Sequence, residues 1–233
     1  MGGRAWIDGA AQIRARRDIE LGLHLDFTEH PLTRPAQPLG RLIAASLSRQ
    51  LDPWALRAEI AAQLDRFEAG VHRPPDFVDG HQHVHQLPQV REALLAELRQ
   101  RGDARPWLRS TRRRLPLPGG LAARFKPWLI EHLGAAGLRR LARKGGFRQN
   151  GALLGVYDFL PSIGGYEALL RDWLAVARDG DLLMCHPSQA GAFGDDAIHA
   201  ARLAEYAVLA GNGFKDMLDE HRVTLTTVGR MLG

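Results

Sequence analysis

The chain has a single cysteine, three lysines and no long apolar run. One thiol, Cys185, excludes an internal disulfide and a thiolate metal cluster, and it fits a reducing compartment. The absence of an apolar stretch near membrane-span length, and of a basic-then-apolar leader, leads us to expect a cytoplasmic protein without an integral membrane segment. There is no Gly-rich P-loop and no dinucleotide fingerprint, so phosphate and nucleotide chemistry of those kinds is not indicated. Cysteine catalysis is not indicated either: Cys185 and His186 are adjacent, and on a strand they face opposite ways.

The net charge of +5 looks like a nucleic-acid signal. The excess is arginine, however, gathered in two blocks at 105–114 and 139–148, without the interleaved aromatic platforms that single strands require. Nucleic acid is not expected as a partner. With 233 residues, 45% hydrophobic and 24% charged, the composition is that of a globular protein with a real core. There is no repeat or low-complexity linker, so one domain over 1–233 is expected.

Helical and extended patterns alternate. We read helices over 8–18, from the Asp52-Pro53 cap through Leu56, Ile60, Leu64 and Phe67, from Pro88, over 165–177, over 197–209 and near 214–218. A helix over 121–144, kinked near Pro127, sets Leu121, Phe125, Trp128, Leu129 and Leu133 against Arg124, Lys126, Arg139, Arg140 and Arg143. Such a helix packs on a core or lies on anionic lipid, so peripheral membrane contact stays open. Strands are expected over 19–25, 77–84, 107–109, 182–185 (buried) and 223–226. Alternation at this spacing argues for a parallel α/β sheet or barrel.

Three groups of chemically capable side chains fall at the carboxyl ends of strands, where parallel α/β folds gather their sites. The first is His24 with Asp26. The second is Asp79-Gly80-His81-Gln82-His83-Val84-His85, which as an extended strand would point Asp79, His81, His83 and His85 to one face. The third is His186 in Met184-Cys185-His186-Pro187. Imidazoles and carboxylates suit zinc and other divalent ions, and a hydrolytic site needs about three protein ligands plus water. The inventory matches metal-assisted hydrolysis of an amide or ester, with a histidine able to protonate a leaving amine.

These same residues carry a family likeness. Gly22-Leu23-His24-Leu25 with Thr28-Glu29, then Asp79 to Pro88, then Met184 to Pro187, resemble the YdjC-like carbohydrate deacetylases, in the right order over nearly the whole chain. The resemblance implies a distorted (β/α) barrel and a divalent-metal-dependent hydrolase, using Zn or Mg, that removes acetyl groups from N-acetylated sugars. It implies His24 and His81 as metal ligands, His186 as acid on the amine side, Arg109 as an active-site arginine, and a homodimer. Asp79 would orient a ligating imidazole or act in catalysis; His83, His85 and Tyr157, in a Gly-Val-Tyr-Asp-Phe stretch, would line the substrate. The family's opening Ala-Asp-Asp-Phe-Gly motif, source of the third ligand and the base, is not in this sequence. We therefore expect the first β-α-β unit, roughly 30–40 residues, to be missing through truncation or a misplaced start. Asp26, sharing a face with His24, is the candidate substitute ligand. The alternative expectation is an inactive sugar-binding or membrane-peripheral homologue that has lost the metal and base aspartates.

Overall fold

The computed structural model describes residues 1–3, 5–102, 105–114, 128–159, 162–191 and 196–232. They gather into two compact units: the first is Met1–Thr111 with His132–Asn150, the second Arg112–Glu131 with Gly151–Met231.

In the first unit three strands, β1 (Gly22–Leu25), β2 (Phe77–Gly80) and β3 (Trp107–Leu108), form a parallel sheet in that order. The register pairs Gly22 with Phe77 and His24 with Asp79. Leu23, Leu25, Val78 and Leu108 are fully buried. Parallel neighbours need a crossover, supplied here by α2 (Leu39–Leu47) and α3 (Pro53–Val71) between β1 and β2, and by α4 (Val90–Gln100) between β2 and β3. Asp52 caps α3 by accepting from the Trp54 and Ala55 amides, with Pro53 in the first turn. Leu56, Ile60, Leu64, Phe67 and Val71 bury one face of that helix in the unit's core. Burial of such a side chain contributes about 1.5–3 kcal/mol. The expected helix over 8–18 is α1 (Trp6–Ile13). The unit closes on α5 (Ala135–Lys144), whose Ala135, Leu138 and Ala142 are buried.

The second unit pairs β4 (Leu153–Leu154) with β5 (Leu182–Leu183), again parallel, beside α6 (Ile163–Val176), α7 (His199–Leu209), α8 (Gly213–Glu220) and α9 (Val228–Leu232). Its core centres on Tyr166, Leu170, Trp173 and Tyr157.

The fold is therefore mixed α/β with parallel strands, and among the described residues the strands form a three-stranded and a two-stranded sheet, not a closed barrel. Four expectations need correction. The strand expected over 77–84 ends at Gly80, and His81–Gln86 turns as a 3-10 segment with Gln82 and His83 at positive φ. Asp79, His81, His83 and His85 thus do not share one strand face. The strand expected over 182–185 is two residues long and only half-buried. Residues 223–226 are not a strand. Leu225 there is 62% exposed, and a β-prone run without a partner ladder gains nothing from extension. Of the expected 121–144 helix, residues 121–127 lie outside the described residues; 128–132 are helical and α5 follows. Its buried side chains join the first unit's core. No helix among the described residues is long and apolar enough to cross a membrane.

Candidate functional site

Register places His24 and Asp79 side by side on adjacent strands, and the His24 Nδ1–H donates to Asp79 Oδ1 at 2.7 Å. The other Asp79 oxygen meets the Arg109 guanidinium, Nη1 to Oδ2 2.7 Å. Arg109, just past β3 and 4% exposed, also donates through Nη2 to the Gly80 carbonyl at 2.6 Å. Burial alone would raise the Asp79 carboxyl; the Arg109 guanidinium first, and then the interaction with the His24 ring, hold it well below the usual carboxylate range. An ionised Asp79 fixes the His24 tautomer with Nδ1 protonated, so Nε2 carries the free lone pair. The His24 side chain is half-exposed, so this nitrogen sits on an accessible ring.

His81 comes to the same place from the turn after β2. Its ring centroid lies 5.5 Å from that of His24, with the planes at 78°. Its Nε2 is buried. Glu29 Oε1 lies 3.0 Å from this nitrogen.

Asp26 is held elsewhere. Its Oδ1 accepts from the Thr28 amide and hydroxyl and the Glu29 amide, and its Oδ2 from the His30 amide. Burial would raise this carboxyl, but those amides outweigh it and hold it below its usual range. The carboxylate is the staple of the turn that carries Glu29. Two further buried side chains brace the same segment: Gln63 bonds both the amide and the carbonyl of Asp26, and Glu59 accepts from the Leu32 and Thr33 amides and the Thr33 hydroxyl.

His85 does not join His81. His85 Nε2 donates to the Arg109 carbonyl at 2.9 Å, beneath Gly80. A Cβ at Gly80 would fall 2.8 Å from the His85 amide nitrogen, so the close approach requires glycine. Burial, then the Arg109 charge, pushes the His85 imidazole down to about 3. Burial and the same arginine lower His83 as well. Both rings are therefore neutral at ordinary pH.

In the second unit His186 follows β5. Its amide donates to Glu205 Oε2, and its Nδ1 lies 3.9 Å from Glu205 Oε1. Tyr157 is buried, packs against Tyr166 and Trp173, and its hydroxyl donates to Glu205 Oε1 at 2.6 Å. Burial raises the Glu205 carboxyl despite these bonds. Phe159 meets the His186 ring edge-on, centroids 5.4 Å apart.

Sequence reasoning gave no role to Glu29, Glu59, Gln63 or Glu205. A signal existed for three of them: Glu59 and Gln63 interrupt the apolar stripe of α3, and Glu205 stands on the buried face of α7 with Ala201, Ala204 and Val208. A charged or amide side chain on a core-facing stripe is one with a buried partner. Glu29 carries no such signal.

Fold and site together define a parallel α/β protein with a carboxylate-backed histidine pair at the carboxyl ends of its strands. The chain belongs to the YdjC-like protein family, whose model matches residues 1–220. It is 32% identical over 128 residues to a human carbohydrate deacetylase, covering 49% of this chain and 38% of that protein. It is 39% identical over 106 residues to a chitooligosaccharide deacetylase of Yersinia pestis, 41% of each chain. The similarity thus spans about two-fifths of those relatives' length. A crystal structure from Enterococcus faecalis V583, of a protein provisionally assigned to cellobiose-phosphate cleavage, superposes with a TM-score of 0.63 at 18% identity, covering 100% of this chain and 85% of that one. That likeness concerns the fold alone.

Proposed function

We propose that the chain carries the histidine half of a carbohydrate N-deacetylase site, acting on N-acetylated sugars, oligosaccharide or lipid-linked. The observation that carries this reading is the His24–His81 pair, 5.5 Å apart, with His24 locked by Asp79 and Asp79 by Arg109. A carboxylate behind one imidazole is the arrangement by which proteins orient a metal-binding histidine. The His81 Nε2, 3.0 Å from Glu29 Oε1, is a second nitrogen of the right kind. These two rings fit a divalent ion, zinc or magnesium, but they do not complete a ligand set. Among the described residues no three His, Cys, Asp or Glu side chains are grouped to hold one, and Asp26 is committed to its turn.

When bound, such an ion supplies Lewis acidity and a water of lowered pKa. The chain's own residues would hold it through His24 and His81 and keep the His24 tautomer through Asp79. Arg109 acts through Asp79, and neutral His83 and His85 shape the turn behind His81. The same reading extends to the fold as a distorted (β/α) barrel, supported by parallel pairing in both sheets. A cytoplasmic location is supported by the lone cysteine, and a homodimer by the family resemblance.

The incomplete ligand set favours a second reading, a sugar-binding homologue without hydrolytic activity. Acetate release from N-acetylglucosamine oligomers, with and without added zinc or magnesium, separates the two. Metal-dependent release lost in His81→Ala supports the deacetylase. No release, together with saturable binding of the oligomer, supports the second.

A further inference from the structure

Away from the histidines, the first unit has an open cavity of about 430 Å³ lined by Arg139, Arg143, Phe147 and Gln149. Its chemistry is one-sided. Arg139 and Arg143 stand four residues apart on α5, so both face the same way, and like charges at that spacing destabilise a helix unless an anion lies between them. α5 contains no acidic residue. Among the described residues neither arginine is paired with a carboxylate, and neither are Arg99 and Arg105, which approach Gly145 and Gly146 just past the helix. Arg105 lies over the Phe147 ring, 5.3 Å from its centroid, and donates to the Gly145 carbonyl. Gln149, bridged to Leu108 at the sheet edge, presents a buried Nε2 with no hydrogen-bond partner.

The helix dipole accounts for Arg143 and Lys144, which occupy the last turn. It does not account for Arg139 one turn earlier, or for an amide donor buried without an acceptor, which costs free energy. Two guanidinia and an amide N–H at one cavity form a donor set for a tetrahedral oxyanion, since arginine forks match phosphate oxygens. Phe147 lines the cavity as a largely buried apolar side chain, 5% exposed, with Arg105 over its ring. The volume lies in the range of small-molecule sites.

We propose that this cavity is a binding site for a phosphate ester, with the Arg139 and Arg143 guanidinia and the Gln149 amide on the phosphate. The phosphate belongs to a soluble sugar phosphate or to a lipid headgroup; the donor chemistry is common to both.

The test is heteronuclear NMR on the full chain at physiological salt, titrating glucose 6-phosphate, inorganic phosphate, glucose, and phosphatidylcholine vesicles with and without phosphatidate. Saturable shifts of the Gln149 side-chain amide and the arginine Nε resonances are expected with glucose 6-phosphate and not with glucose. Loss of two charge-assisted bonds weakens binding by about tenfold or more in the Arg139→Ala/Arg143→Ala variant. Both side chains are exposed, so its thermal unfolding should match the parent. The Arg139→Lys/Arg143→Lys variant, which keeps charge and loses the forks, should bind at intermediate strength and serves if the alanine pair does not fold. Binding to phosphatidate vesicles with the same arginine dependence assigns the phosphate to a lipid. Absence of saturable shifts with every phosphate probe, equal binding of glucose, or undiminished affinity in both variants overturns the proposal.

Discussion

His24 and Asp79, 55 positions apart in sequence, are register partners on adjacent parallel strands and are joined by a 2.7 Å hydrogen bond. That bond makes the His24 ring a directed group and leaves the second Asp79 oxygen for Arg109. The first prediction follows from it. Asp79→Asn leaves the Arg109 guanidinium buried without its counter-charge. Breaking a buried pair in this way costs about 3–5 kcal/mol, read as a lower midpoint in urea unfolding. Zinc affinity, measured by calorimetry on refolded protein, should fall about 10–100-fold. Unchanged stability would show that Arg109 is compensated elsewhere.

His85 makes the molecule acid-sensitive in a defined window. Its folded-state pKa, about 3, lies below the ordinary histidine value, so the unfolded chain takes up this proton first as pH falls. The stability it contributes is complete above about pH 6.5 and is lost between there and about 3, at up to about 1.4 kcal/mol per pH unit. His83 acts in the same direction. Unfolding free energy measured from pH 7 to pH 4 should fall more gently in His85→Leu than in the parent. Parallel slopes would sink this assignment.

Glu205 separates charge from hydrogen bonding. Its two oxygens accept from the Tyr157 hydroxyl and the His186 amide while the side chain is fully buried. Glu205→Ala removes the acceptor of both bonds and should cost about 0.5–1.5 kcal/mol for each bond lost. Glu205→Gln keeps an acceptor oxygen and should cost clearly less. Thermal unfolding of the two variants decides the matter, and equal losses would show that the charge itself is what the site requires.

Asp26 offers the sharpest contrast between turn and ligand. Asp26→Asn retains an acceptor oxygen for the Thr28 and Glu29 amides, so the turn should survive with a loss of about 1 kcal/mol. Zinc uptake by this variant, measured by elemental analysis after dialysis, should equal that of the parent. His81→Ala should lose it. Reduced uptake in Asp26→Asn alone would restore Asp26 as a ligand.

Much of the helical framework was legible from local pattern. The Asp52-Pro53 start of α3 and its buried Leu56, Ile60, Leu64 and Phe67 agree with the structure, because caps and apolar stripes depend on neighbours within four residues. The strand ends were less legible. Alternating histidines suit an extended chain, yet the run turns at Gly80, where His85 packs beneath it. Nothing within the segment announces that, since the group receiving the His85 proton is the carbonyl of Arg109, 24 residues on. Glu29 stood in the family motif without a role for a similar reason: its place beside His81 depends on a turn held by Asp26 and braced by Glu59 and Gln63 of another element.

The sequence by itself determined the parallel α/β character, the helix that spans from β1's side to β2, and the types of side chain available for chemistry, because each of these is set by periodicity and composition. Tertiary structure alone decided which of those side chains meet. It chose His24, Asp79, Arg109 and His81 and withdrew Asp26 and His85, because hydrogen bonds and buried charges are satisfied by partners that only the folded sheet brings within reach.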